Sequence, residues 1–532
     1  MTQQRSAHRA VALALLAAGL VLGGAGLWGL SRARSGVEVA QRLWPTPHGP
    51  MPVAVYTPGG SGAADAPAVI VIHGFAGSKE LMRPFGVYLA QSGRRAYLVD
   101  VTGHGHNPAP LQRTGAPDDI EAMINDLIAS GEAQPGRIAL VGHSMGTYIA
   151  TETARRDPRV AATVLFSSID DQIRPGQPRN VLLFAASRDL ETVRITFLKV
   201  LTSAGQAPLA AGAPFPGEDL RQGRAVTGVG VPGRNHITVL YEAAALRDMG
   251  RWLDLAFGPA GPEPRPDPRR AMALGWGLSL VTGALLVFLG LAAGLAGAVS
   301  GYPLAGTSAP HPYLWPLMYL LTGGAAVLAG AFFHPLSFLR LMVSDYLAFY
   351  LFVLFILLEG VRRLARPALF QQAHANLDVQ RGWPSFLFGL LLFALFFALM
   401  GPALTAAFTN ALPIGARLWR VAVLLPFLLP FSLLDENLRA AVHSRYGAAA
   451  AFGLAYLAKL AMAATWGISL KLPGSPFFLI IAMPVLLVFL ATLDAVTTAV
   501  FTWRHESMSL GLFKALTLAW TLAVSFPLGS AF

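Results

Sequence analysis

Gly142-His143-Ser144-Met145-Gly146 closes an apolar run, Arg137 to Val141, and opens a helical one, Met145 to Arg155. A serine on a sharp strand-to-helix turn, with a glycine on each side to leave room for a strained backbone, presents its hydroxyl for nucleophilic attack. A serine hydroxyl is a weak nucleophile at its ordinary pKa, so the chemistry also needs a base. His236 falls in a loop just beyond the apolar run Ala225 to Val229 and is the best-placed histidine to take the Ser144 proton and return it to a leaving group. Asp189 follows Val181 to Ala186 by three residues, where a strand end would project it toward the serine to orient the imidazole and stabilise its charged form. It also precedes a helical stretch, so an N-cap role is open to it. Asp170 and Asp171, at the end of the preceding run, are the alternative acids.

These residues need a scaffold that brings them together. Val37 to Leu43 and Pro52 to Tyr56 read as an opening strand pair; Ala68 to Ile72, Ala96 to Asp100, Ile138 to Val141, Ala161 to Phe166, Val181 to Ala186 and Ala225 to Val229 follow as short apolar strands. Helical stretches near 79 to 92, 117 to 130, 145 to 156, 189 to 203 and 237 to 256 separate most of them. The alternation predicts an α/β domain with a mostly parallel sheet covered by helices on both faces.

His73-Gly74-Phe75 ends the third strand, Asp100 with Gly103-His104-Gly105 follows the fourth, the serine turn follows the fifth, Asp189 a later strand and His236 the last. In that order, residues 36 to 257 resemble the α/β-hydrolase fold family, whose nucleophile, acid and histidine run in the same chain order. The resemblance implies a Ser144, Asp189, His236 triad and an acyl-enzyme intermediate. The oxyanion would be held by backbone N–H groups of Met145, at the start of its helix, and Phe75, in the loop after the third strand. An ester is the bond expected, in a lipid or lipid-linked acyl substrate, although the same triad serves thioesterases, peptidases and acyltransferases.

No cofactor or metal is expected. His104 and His106 lie close to Asp100, but no third ligand has sensible spacing, and the stretch resembles a structural turn of the fold. No P-loop, dinucleotide fingerprint or HExxH occurs. Only the residues Ile169 to Asn180 separate two consecutive strands where many relatives insert a cap, a length that suits a plain loop. The pocket is therefore expected to be open, or covered by the membrane surface, the helical half or the segment Gly205 to Gly223.

The 532 residues are 54% hydrophobic and 13% charged, too apolar for an ordinary soluble protein. Ala10 to Leu30 carries no charge, spans a bilayer core in length, and is followed by Ser31-Arg32-Ala33-Arg34, which offers no clean cleavage site. It reads as an uncleaved anchor, with a cleaved signal peptide as the alternative. From Ala271 onward, segments near 271 to 299, 313 to 333, 338 to 360, 384 to 409, 418 to 434, 447 to 469, 476 to 501 and 509 to 530 each suit a span, making about nine with the anchor. Trp315, Trp383 and Trp503 fall near span ends, where indoles suit the interface.

The organisation predicted is an anchor at 1–35, a hydrolase-like domain at 36–257, a proline-rich linker at 258–270 and a polytopic membrane domain at 271–532. The net charge is +11, arginine greatly outnumbers lysine, and much of that charge flanks spans, which suits lipid headgroups rather than nucleic acid. Cysteine is absent, which removes disulfides and thiolate chemistry and fits an exported domain. Arg5, Arg9 and the Arg362 to Arg381 loop read as cytoplasmic, placing the hydrolase-like domain on the outer face of a bacterial-type cytoplasmic membrane. Asp345, Lys459 and Asp494 lie inside predicted spans, as a polar pathway, a headgroup site or a structural ion pair. Asp435-Glu436-Asn437-Leu438-Arg439 reads as a charged loop end. These charges leave a second function open: a transporter or receptor-like membrane protein with the hydrolase-like fold as a binding or regulatory module. The sequence sets no oligomeric state.

Overall fold

The computed structural model describes residues 2–59, 65–112, 114–258, 272–298, 314–333, 335–364, 379–413, 415–469 and 478–529. The linker beyond Gly258 and much of the basic loop, including Arg366, lie outside the described residues. Contacts divide the chain into two units, Gly24–Leu280 with Leu404–Asn410, and Met1–Gly23 with Val281–Ala403 and Ala411–Phe532.

The first unit is built on a nine-stranded sheet: β1 Val37–Trp44, β2 Met51–Pro58, β3 Ala68–Ile72, β4 Arg95–Val99, β5 Ile138–His143, β6 Val160–Phe166, β7 Val181–Arg188, β8 Leu209–Ala210 and β9 Val226–Asn235. Their order is β1-β2-β4-β3-β5-β6-β7-β9-β8. The β1–β2 and β2–β4 pairs are antiparallel and every pair from β4–β3 to the far edge is parallel. The central strands are short unbroken apolar runs because both faces are covered. On one face they meet α3 Ala116–Ala129, α4 Met145–Arg156 and α5 Glu191–Ser203 through Ile120, Ile149 and Phe197; on the other they meet α2 Arg83–Gln91 and α7 Ala243–Phe257 through Phe85, Met249 and Trp252.

Three local differences from the sequence reading have physical causes. The helix expected from 79 begins only at Arg83, because Lys79 is drawn into the loop by the Asp100 carboxylate and Pro84 sits in the first turn. The stretch after His236 divides into a 3₁₀ turn, Thr238–Tyr241, and α7, whose first turn is capped by Glu242 accepting from the Ala244 N–H at 3.2 Å. Gly205 to Gly223 contributes β8 and a short helix, α6 Gly217–Arg221, and is tied to α7 where the Gly212 N–H donates to Asp248 at 3.0 Å.

Among the described residues, eight helices are long and apolar enough to cross a membrane. They are α1 Thr2–Ala33, α8 Ala273–Ala298, α9 Leu314–Phe332, α11 Val379–Ala407, α12 Leu418–Tyr446, α13 Ala448–Ser469, α14 Phe478–Arg504 and α15 Met508–Ser525. The ninth expected span is the helix α10, Ser344–Leu364, which is not among them. Its uncharged stretch, bounded by Asp345 and Glu359, is shorter than a bilayer core requires. Within the second unit, Gly19 and Gly23 of α1 meet Gly283 of α8 so closely that a Cβ at Gly19 would lie 2.7 Å from the Val287 nitrogen. Small residues one turn apart let two membrane helices approach backbone to backbone. Trp315 is fully buried and meets Tyr319 edge-on, so it packs inside the bundle rather than marking an interface.

Asp435 to Arg439 is not a loop end. It lies inside α12, which continues to Tyr446, and Asp435, Glu436 and Arg439 are completely buried. Lys459 of α13 donates to both Asp435 oxygens at 2.6 and 2.7 Å. Lys514 of α15 donates to Asp435 at 2.5 Å, to Glu436 at 3.0 Å, and to Asp494 of α14. Arg439 binds Glu436 and Thr498, and the Tyr319 hydroxyl donates to Asp435 at 2.5 Å. Three carboxylates thus face three cations. The carboxylate oxygens of Asp435, Glu436 and Asp494 come within 4.8 Å of one another, and the Lys514 ammonium stands where they converge. Asp345 is apart from this network; its carboxylate accepts from the Tyr346 N–H at 2.7 Å in the first turn of α10.

Removing one partner from a buried charge network leaves the others uncompensated. Lys514→Met is therefore expected to destabilise the detergent-solubilised protein by about 3–5 kcal/mol. A melting temperature equal to that of the wild type would show that the ammonium does not support the bundle.

Candidate active site

Ser144 sits between β5 and α4 with φ 51° and ψ −117°, a conformation that costs an L-residue energy unless its surroundings impose it. They do. A Cβ at Gly142 would strike the Gly146 carbonyl, and one at Gly146 would strike the carbonyl oxygens of Ile72 and His73. The Ser144 N–H donates to Phe166 O at 2.9 Å, which locks the turn onto the end of β6.

His236 stands in the loop after β9, with Nε2 3.0 Å from Ser144 Oγ and Nδ1 2.7 Å from Asp189 Oδ1. The loop is shaped by Asn235, whose side-chain oxygen accepts from the Ile237 and Thr238 N–H groups at 3.1 and 2.9 Å. Asp189 follows β7; its side chain is fully buried and also accepts from the Leu190 N–H at 2.8 Å and Ser167 Oγ at 2.5 Å. Burial alone would raise the Asp189 carboxyl, but the hydrogen bond and charge of His236 outweigh it and hold the group below the ordinary carboxylate range. The two alternative acids point elsewhere. Asp170 accepts from the Gln172 N–H at 2.9 Å, and Asp171 pairs with Lys199 at 2.5 Å. The β6–β7 connection contains the short bridge Arg174–Gln177 and no helix.

The loop after β3 lies against Ser144: a Cβ at Gly74 would stand 3.0 Å from Ser144 Cβ. Phe75 follows in that loop and Met145 is the first residue of α4, so both expected oxyanion donors belong to segments flanking Ser144. His73 shapes the loop. Its Nδ1–H donates to Gly74 O at 2.8 Å and its Nε2 accepts from the Val101 N–H at 3.3 Å, which fixes one neutral tautomer. Burial pulls its pKa down to match.

Sequence reasoning read the stretch after Asp100 as a structural turn but missed three supports of this site, the first being Lys79. Asp100 accepts from Lys79 N at 2.7 Å, Lys79 Nζ at 2.6 Å and His106 N at 3.0 Å, tying the loop after β3 to the turn after β4. Burial opposes the Lys79 charge, but Asp100 and Glu80 raise its pKa. Gly105, with φ 51°, lies against the same carboxylate, so the Gly-His-Gly stretch is a turn built around Asp100, with His104 Nδ1–H donating to Thr102 O at 3.0 Å. Ser167 and His143 are the other two. The Gly-x-Ser-x-Gly spacing could have marked His143 as the residue beside the serine, while Ser167 left no signal because its contact with Asp189 joins different strand ends.

Residues 67–204 match the family model for the α/β-hydrolase fold. The chain is 31% identical over 156 residues to the uncharacterized protein Rv2307c of Mycobacterium tuberculosis, covering 28% of this chain and 54% of that protein. It is 28% identical over 114 residues to the sn-1-specific diacylglycerol lipase ABHD11 of Danio rerio, covering 21% of this chain and 34% of that one. The chain thus spans about half the length, or less, of these curated relatives. Among solved structures it is similar to a bacterial heroin esterase at 18% identity and a TM-score of 0.33, covering 43% of this chain and 86% of that one. The family match runs from the start of β3 to the end of α5, and the sheet around it is parallel from β4 onward with helices on both faces: this domain has the α/β-hydrolase fold.

Proposed function

We propose that this chain is a membrane-embedded serine hydrolase that cleaves an acyl ester, of a lipid or lipid-linked substrate, through an acyl-enzyme on Ser144. The observation that carries the reading is the continuous hydrogen-bond path from Ser144 Oγ through His236 to the buried Asp189 carboxylate. His236 takes the Ser144 proton as the hydroxyl attacks the ester carbon, and the backbone N–H groups of Met145 and Phe75 receive the negative oxygen. The proton then passes to the leaving alcohol, and water repeats the sequence to release the acid. The name of the zebrafish relative, a diacylglycerol lipase, favours a glycerolipid-type ester, as does a domain carried on a chain with eight candidate spans. The α1–α8 glycine contact supports a first helix that is retained as an anchor.

Ser144→Ala is expected to abolish fluorophosphonate labelling and to lower turnover of a p-nitrophenyl ester by at least about 10⁴-fold, while the protein still accumulates in membranes. Unchanged turnover would overturn the hydrolase reading.

Asp189→Asn is expected to lower kcat far more than Asp170→Asn or Asp171→Asn, because a neutral amide neither selects the imidazole tautomer nor stabilises its positive charge. Equal losses in the three variants would remove Asp189 from its role.

With the N-terminus cytoplasmic, α1 carries residues 36 to 257 to the outer face. Protease added to intact spheroplasts is then expected to cut the proline-spaced sequence near 258 to 268. Cutting only after permeabilisation would place the domain in the cytoplasm.

A further inference from the structure

Resting on the serine-hydrolase reading, we propose that His143 is a positioning residue for the base: its Nε2–H holds the backbone carbonyl of His236 and so sets the imidazole against Ser144. His143 Nε2 lies 2.9 Å from His236 O. A carbonyl oxygen only accepts, so the proton must sit on Nε2, and Nδ1 carries a bare lone pair. That nitrogen faces the loop after β3, where a Cβ at Gly74 would come within 2.9 Å of it, and it has no hydrogen-bond partner among the described residues. The carbonyl of His236 therefore sets the tautomer.

The same residue is protected from protonation. Burial, reinforced by the neighbouring His236, pushes its pKa down to about 3. The two rings are 5.0 Å apart, so a charged His143 would repel the imidazolium that His236 becomes during turnover. A neutral donor avoids that repulsion and keeps its hydrogen bond.

What the bond adds to the side-chain contact of His236 with Ser144 is a link from the backbone of the base to the serine turn. The loop around His236 is also organised by the Asn235 turn with Thr238, by ties to the end of β7 through Arg188 and Ser187, and by the side-chain bond to Asp189. His143 is covalently adjacent to Ser144. One turn thus presents the hydroxyl and grips the residue that must accept its proton, so a displacement of the loop is resisted at the point where a small error in distance slows proton transfer.

Three variants of the full-length protein in detergent separate this role from simple packing. Phe at 143 keeps the ring volume without a donor, Gln places an amide N–H near the position of Nε2, and Asn is too short to reach. His143→Phe is expected to lower kcat for a p-nitrophenyl ester by about 10- to 100-fold with KM changed less than about 3-fold, and to slow fluorophosphonate labelling in parallel. His143→Gln is expected to recover most of the loss, with the two melting temperatures alike. If the Phe variant does not fold, the same contrast is read between Gln, active, and Asn, impaired. Wild-type kcat in the Phe or Asn variant, or equal losses with and without a donor, would overturn the positioning role alone. A wild-type protein that is not labelled at Ser144 would instead overturn the hydrolase reading on which it rests.

Discussion

The strained turn at Ser144 is the constraint on which the site depends. A non-glycine residue at φ 51° is held there only because the chain on every side leaves it no alternative: Gly146 is pressed against the carbonyls of Ile72 and His73, Gly142 against Gly146, and the Ser144 N–H is taken by Phe166. Each of those contacts comes from a different parallel strand. The central sheet is thus required in register before the serine can adopt its conformation, and the buried apolar runs of β3, β5 and β6 supply that register.

A second constraint is electrostatic. Three histidines crowd the end of the sheet, and protonation of more than one would set like charges side by side. His73 and His143 are each buried, each donate to a backbone carbonyl, and are each shifted toward the neutral form. Only His236 has one nitrogen on a carboxylate and the other facing a hydroxyl. The difference comes from the partners rather than from the residue type, and it leaves His236 alone between a carboxylate and a hydroxyl.

Much of this was legible in the sequence because it is local. The serine turn, the strand ends carrying Asp189 and His236, and the apolar runs all follow from spacing within about a dozen residues. What escaped was long-range in the chain. Ser167 meets Asp189 across two strand ends, and Lys79 reaches Asp100 between two loops, and no periodicity reports either pairing. The boundaries moved for the same reason, as at Lys79, where a tertiary hydrogen bond displaced a helical start.

The charges at 435 to 439 were misread for a sharper version of that reason. A cluster of acids and an arginine after an apolar run has the pattern of a helix leaving the membrane, and on one helix alone it would leave, because an unpaired charge in hydrocarbon is costly. The structure keeps it buried within the helix bundle by supplying Lys459 and Lys514 from two other helices, neither of which could be matched to it by spacing. Three acids face three bases, so the cluster carries no formal excess of either sign. The network then works as a register device: α12, α13, α14 and α15 can be buried against one another only in the alignment that brings every charge to its partner. An apolar interface between membrane helices tolerates sliding, whereas this one does not, because a shift of one helical turn would leave buried charges unpaired.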